Sequence, residues 1–422
     1  MSNLLPTYNQ VIIYVYEQFC LCFDGPKISL EELKTLCESS ENEIEELLNL
    51  NTLKPVGRVN FKSFHAPVFF ASENYQEKEV VKQGKVQFDV FLNSFLLLSG
   101  WQEWMCESTD KQDRFPYSCS LQHKFDFVKI PAVTIYFEFL AQVILEKGLE
   151  CKAKRFDSNV IFTHDIDQVR SGWFEDIGYF IKNPSFKGVF KSVNAALGKI
   201  LGNKDSYHLA LLKMQGIDKK NNLPAISFMM TEKSHDDADY DLKNLLALDL
   251  DKSQRIGLHP GFETYNNKEN FSKQLEKLIK LYPSSEKIVR QHYLKYNVKQ
   301  TNKIHEELQI KEDYSLGFAE HYGFRNSIAT PFHLYRFDEN RASKVLEVPL
   351  YFMDGTLHHY LNDTSWKGKE GVVKEVETLY NELNISFSVL FHNSVFTDQK
   401  YKGFTAMYEK LINIVQEGRL SL

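Results

Sequence analysis

Apolar and polar positions change rhythm near residue 155. Before it, several apolar sets recur at helical spacing. Leu30, Leu33 and Leu36 share one face of a short segment, 29–37, which Ser29 and Glu32 open with a capping box. An acidic helix is expected over 41–50 and a β-like stretch over 68–71. Residues 88–98 are almost wholly apolar and predict a buried helix ending near Gly100; 133–147 predict another, closed by Gly148. Beyond residue 155, short apolar runs alternate with amphipathic segments. The runs predict strands at 160–163, 225–230, 255–258, 287–289, 314–318, 344–348 and 386–391. Phe271, Leu275, Leu278 and Ile279 line one helix face that stops before Pro283, and Val372, Val376, Leu379 and Leu383 line another. A last helix is expected over 405–416. Alternating strands and helices predict an α/β architecture, a parallel barrel or an open sheet.

All six cysteines fall within the first 151 residues, in no C-x-x-C pair. This asymmetry divides the chain into a smaller N-terminal α+β domain, 1–150, and a larger one, 151–422. The thiols are read as reduced and structural. With 50 Lys and Arg against 56 Asp and Glu the net charge is −6, which gives no general attraction for nucleic acid or anionic lipid. The apolar run 11–23 is broken by Glu17 and Gln18, so no membrane span is expected. No secretory leader pattern opens the chain, and a cytoplasmic location is expected.

The reactive side chains sit just after the predicted strands. Thr163-His164-Asp165-Ile166-Asp167 follows the first, His259 the third, Arg290-Gln291-His292-Tyr293 the fourth, and His392-Asn393 the last. In parallel α/β folds the C-terminal strand ends share one face, where sites are built. Two carboxylates two residues apart repel unless a cation or an Arg intervenes, so Asp165 and Asp167 read as a base beside a metal ligand, or as a turn pair. His259, before Pro260-Gly261, is a ligand or an ordinary turn residue. His392 is an acid–base group or a packed core imidazole, and Arg290 is the partner of a carboxylate.

Taken in order, these motifs resemble the polysaccharide deacetylases of carbohydrate esterase family 4. Thr163-His-Asp-Ile-Asp167 looks like a variant of the family's T-F-D-D motif. Ile256-Gly-Leu-His259 is similar to the start of H-[ST]-x-x-H. Arg290-Gln-His-Tyr293 keeps both ends of R-x-P-Y, and Leu390-Phe-His392 fits the final L-x-H. Asp313-Tyr-Ser-Leu-Gly-Phe318 with Gly323-Phe-Arg325 resembles a segment of a bacterial branch that carries an N-terminal accessory domain. Residues 88–104 with Arg114-Phe115 are similar to that accessory region. The resemblance implies a distorted seven-stranded (β/α) barrel. It implies Asp165 as general base, Asp167 and His259 as metal ligands, and Arg290 orienting the base. It further implies the Tyr293 N–H as oxyanion donor and His392 as general acid.

The family's second ligand His corresponds to Glu263, a carboxylate able to ligate zinc. His292 and His235 are alternative ligands. The implied activity is hydrolysis of N-acetyl groups on a sugar or glycan precursor with a divalent metal, zinc foremost. Tyr265, Tyr322 and Trp366 are candidates for lining a sugar cleft. Two rival readings stand beside it. Asp165-Ile-Asp-Gln-Val169 matches the D-x-D-x-[TV] element of haloacid dehalogenase-type phosphatases, without a later G-D-x-x-x-D element. A barrel with a degenerate metal site could also bind a glycan or a partner without catalysis.

Overall fold

The structure is a computed structural model that describes residues 5–174, 177–178, 205–234, 238–243, 255–397 and 400–420. Its centre is an eight-stranded sheet in which every neighbouring pair runs parallel. The strands are β1 (Val160–Ile166), β2 (Ile226–Met229), β3 (Arg255–Leu258), β4 (Ile288–Val289), β5 (Glu312–Asp313), β6 (Leu346–Glu347), β7 (Leu350–Met353) and β8 (Phe387–Leu390). Their spatial order is β6-β5-β4-β3-β2-β1-β8-β7. The two edges, β6 and β7, are consecutive in sequence with only Val348 and Pro349 between them. Three residue steps span at most about 10 Å. The sheet must therefore curl until its edges approach each other. Leu350 N–H donates to Leu316 O beyond β5 at 3.2 Å, and Pro349 O accepts from Ser388 on β8 at 2.7 Å, so the bend bonds to both flanks.

Among the described residues, eight strand segments stand where seven were expected. The strand missed by the periodicity is β7, because Pro349 interrupts the apolar pattern and removes a backbone donor. The strand expected over 314–318 lies earlier, at Glu312–Asp313, and the apolar residues after it form a loop against the sheet. β1 is longer than expected and buried at every position but the half-buried Ile161, as suits a strand covered on both faces.

Seven helices matter for the site and its support: α1 (Tyr8–Cys22), α2 (Val90–Leu98), α3 (Ala132–Glu146), α4 (Ser206–Lys220), α5 (Lys268–Leu281), α6 (Trp366–Glu382) and α7 (Phe404–Leu420). Every residue of α2 is buried, and Asp89 caps its first turn by accepting from Leu92 N–H at 2.8 Å. The Ser29–Glu32 capping box is present but holds one turn only, Leu30–Leu33. The acidic segment is a 3₁₀ helix, Glu41–Asn49, and the strand near the β-like stretch 68–71 lies earlier, as the second arm of a hairpin, Gly57–Phe61 with Phe64–Val68, leaving only Val68 in it and Ala71 in an isolated bridge to Phe88.

Residues before 150 dock intimately on the sheet unit. One apolar cluster runs through both, from Tyr8 and Phe95 to Tyr335 and Val415. Tyr14 donates to His333 O at 2.6 Å, and Arg325 grips Glu103 with two short bonds, 2.7 and 2.5 Å, in a buried pair. None of the six cysteines is bonded to another. No helix among the described residues is long and apolar enough to cross a membrane.

Candidate metal centre and acid–base site

Side chains two apart on a strand share a face, so Thr163, Asp165 and, just past the strand, Asp167 point the same way. His164 points the other way. It is buried between α4 and α7, where its Nε2 lies 3.2 Å from Asp218 and 3.1 Å from the Tyr408 hydroxyl. This outer contact locks β1 against its helices and leaves the inner face to the carboxylates. Beyond Asp167 the chain turns, and Asp239 accepts from the N–H groups of Val169, Arg170 and Ser171 at 2.8, 2.7 and 2.6 Å.

Arg290 follows β4 and is fully buried. Its Nη1 donates to Thr163 Oγ1 at 2.7 Å and to Asp165 Oδ1 at 3.3 Å, and its Nε to Tyr314 O at 3.0 Å. Burial, partly offset by Asp165, lowers its pKa from the usual guanidinium value. His259 follows β3. Its Nδ1–H donates to Arg290 O at 2.6 Å, which leaves the Nε2 lone pair facing the carboxylates, 3.3 Å from Asp167 Oδ1 and 3.5 Å from Asp165 Oδ2. Burial disfavours charge on this ring, yet Asp165 and Asp167 outweigh it and raise its pKa. Burial likewise opposes ionisation of Asp167, but His259, His392 and His292 hold its carboxyl well below the usual range.

Asp167, His259 and His292 each offer an atom within 4.8 Å of the others. Asp167 Oδ1 and His259 Nε2 are buried and face each other without a well-aligned hydrogen bond. Opposed, unpaired donor atoms of this kind cost free energy unless something sits between them. One carboxylate and two imidazoles with an accessible side suit a three-ligand open zinc site. His259 has its tautomer set by a backbone carbonyl, a usual support for a ligand imidazole. The residues present therefore fit a divalent cation.

Glu263 does not join this cluster. The turn Phe262–Thr264 leaves it exposed on the wall of a neighbouring cavity, and His292 stands in the group instead. A four-residue spacing in sequence says nothing about facing when the segment is a kinked 3₁₀ turn. His235 lies outside the described residues.

His392 closes the far side, at the end of β8. Its Nδ1 lies 2.7 Å from Asp354 Oδ1, its backbone N–H donates to Asp354 Oδ2 at 2.6 Å, and its Nε2 lies 3.5 Å from Asp167 Oδ2. Burial works against its charged form, but Asp354, Asp167 and Asp165 together push its pKa up to about 10. Asp354 was not expected from the sequence. Its one signal is that it follows a short apolar strand, as the other polar residues do.

Tyr293 adopts a left-handed backbone, φ 59°, and so does Leu294, φ 55°. The Tyr293 ring stacks on His292 at 4.1 Å. These groups line a cavity of about 500 Å³ whose aromatic walls are Tyr207, Tyr293, Tyr360 and Tyr401. Tyr265, Tyr322 and Trp366 do not line it: Tyr265 donates to Asp113, Tyr322 accepts from Lys129, and Trp366 lies under Lys410.

Residues 9–149 match a family model described as a family of unknown function (DUF7033). No curated protein matches the sequence. Among solved structures, one described as a "putative polysaccharide deacetylase from Mycobacterium smegmatis" aligns over 63% of this chain and 85% of its own, at 13% identity and a TM-score of 0.38. A likeness of that size carries no argument about function.

Proposed function

We propose that the chain is a metal-dependent hydrolase that removes N-acetyl groups from a sugar or glycan precursor. The observation that carries this reading is the meeting of Asp167, His259 and His292 around one point, with Asp165 on one side and the Asp354–His392 pair on the other. In this reading the chain divides at about residue 150, and the C-terminal part is the catalytic barrel.

A divalent cation held by Asp167, His259 and His292, zinc by donor chemistry, would acidify a water and polarise an amide carbonyl. Asp165, oriented by Arg290, accepts the proton released on attack. The Tyr293 N–H serves the developing oxyanion, a contribution typically worth about 3 kcal/mol. His392 keeps Nδ1 on Asp354 and delivers a proton from Nε2 to the departing amine, which leaves poorly as an anion. Tyr293 and Tyr360, the exposed pair among the four tyrosines, offer faces for sugar rings.

The phosphatase reading requires Asp165 to present a free oxygen as nucleophile. That reading gives no role to His259, His292 or the Asp354–His392 pair, all of which the metal-dependent reading uses.

Metal analysis of the purified chain tests the proposal, together with acetate release from free, oligomeric and nucleotide-linked N-acetylhexosamines. One ion per chain is expected, lost in His259→Ala, weakened in His292→Ala and retained in Glu263→Ala. A metal-free chain that releases no acetate overturns it, and phosphate release from phosphosugars would favour the rival.

A further inference from the structure

The segment between the short helix Trp101–Met105 and the turn Tyr117–Cys119 belongs to the N-terminal part, yet it lies across the mouth of the sheet. Tyr117 packs on Phe318 and His321 at 5.1 and 5.0 Å, and Asp113 accepts from Tyr265. Among the described residues before 150, Arg114 alone lines the cavity that holds the site. Its side chain is 6% exposed, so its charge needs partners. Asp110 neutralises it at 2.6 Å, Nη2 reaches the Tyr360 hydroxyl at 3.3 Å, and Nη1 donates to Tyr293 O at 2.7 Å.

That last acceptor belongs to the peptide between two consecutive left-handed residues. Left-handed backbone costs a side-chain-bearing residue roughly 1–2 kcal/mol, and such residues normally occur singly. Two in succession persist only where the surroundings over-determine them. Part of that constraint is local, since Leu294 N–H donates to Gln291 O at 3.0 Å and Lys295 N–H to His292 O at 3.1 Å. The buried Leu294 side chain adds packing against Ala319, Leu350 and Leu390. Ring contacts of His292 with His259 and of Tyr293 with Phe262 hold the turn further, and Arg114 adds a charged grip on the peptide itself. The same turn carries His292 on one side and the Tyr293 N–H on the other.

We infer that Arg114 is a positioning residue, supplied by the N-terminal part, that holds the His292–Tyr293–Leu294 turn in its strained form and so sets both the third ligand and the oxyanion donor. This deepens the proposed function and rests on it for the oxyanion role. The ligand role is testable without any substrate. The N-terminal part then completes the site rather than merely adjoining it.

The test uses the full chain with Arg114→Ala, Arg114→Lys and Asp110→Asn, each checked for unchanged circular dichroism and melting. Cobalt(II) titration followed by visible absorption reads the metal site. Arg114→Ala should weaken cobalt binding about tenfold and alter the band shape, the usual scale for loss of an outer support of a ligand. Arg114→Lys should recover part of the loss, and Asp110→Asn should fall between. In turnover, Arg114→Ala should lower kcat at least tenfold while KM changes less than about threefold. Cobalt affinity and spectrum unchanged in Arg114→Ala would overturn the inference, as would kcat within twofold of the parent. If Arg114→Ala fails to fold, the other two variants decide: parental cobalt binding in both overturns it. If the parent chain releases no acetate but the cobalt site weakens as stated, the deacetylase reading fails and the positioning role stands.

Discussion

Asp165 Oδ1 accepts from Arg290 at 3.3 Å while its Oδ2 lies 3.5 Å from His259, whereas Asp167 faces His259 and His392. Two carboxylates on one face thus have different partners, and the proposal gives them different duties. Asp165→Asn keeps size and hydrogen bonding but cannot accept the proton. It should reduce acetate release by at least about 100-fold with metal content unchanged. Turnover near the parental rate would remove Asp165 as base. His392→Ala should cut kcat by about 10²–10⁴, the usual worth of a positioned acid. A rate unaffected by that change would assign the imidazole to packing with Asp354.

At the scale of elements, β3 delivers His259 through a glycine. A methyl group at Gly257 would lie 2.7 Å from Ile288 Cγ1 and 2.7 Å from the Phe228 ring. Gly257→Ala should therefore destabilise the chain by about 1–3 kcal/mol in urea unfolding. It should also weaken metal binding, because β3 must shift; a variant with both properties intact would show that the strands yield easily. α2 gives the pH prediction. Asp89, its cap, is buried, and burial outweighs the hydrogen bonds from Leu92, Tyr8 and Ser40 to raise its pKa to about 6. A carboxyl with a raised folded-state pKa stabilises fully below its unfolded value, near 4, and loses that contribution as pH rises through 6. The stability of the parent relative to Asp89→Asn should be greater at pH 4 than at pH 7 by roughly 2–3 kcal/mol. A pH-independent difference would contradict the assignment.

For the whole molecule, the decisive contacts join the residues before 150 to the sheet. Glu103 and Arg325 form a buried, doubly bonded pair across that boundary, with side chains 6% and 1% exposed. Removing one charge leaves the other stranded, so Glu103→Gln should cost about 3–5 kcal/mol. Replacing both by Met should cost much less, since the expense lies in the unpaired charge. Equal losses in the single and double variants, measured by denaturant unfolding, would count against this account.

The alternation of strands and helices and the polar residues placed after the strands were legible from local pattern, although β1 runs three residues further than expected, β5 ends five residues earlier and β7 was missed. Asp165, Asp167, His259, Arg290 and His392 stand at or near the C-terminal ends of β1, β3, β4 and β8, and parallel strands bring those ends to one face. The roles of these residues remain the proposal made above. Facing, by contrast, is a property of tertiary structure. Glu263 and His292 were both available as ligands by residue type. The kinked turn at Phe262–Thr264 turns one outward, and the left-handed turn after β4 carries the other inward. Asp354 carried only the signal of following a short apolar strand, and Arg114 only its place beside Phe115 in a resemblance; neither pointed to a role, because each gains its meaning from a partner, His392 or the Tyr293 carbonyl, that is close in space and distant in sequence. Local sequence sets backbone rhythm through sterics and apolar period. Which donor atoms oppose one another depends on how the curled sheet and the N-terminal segment close over them.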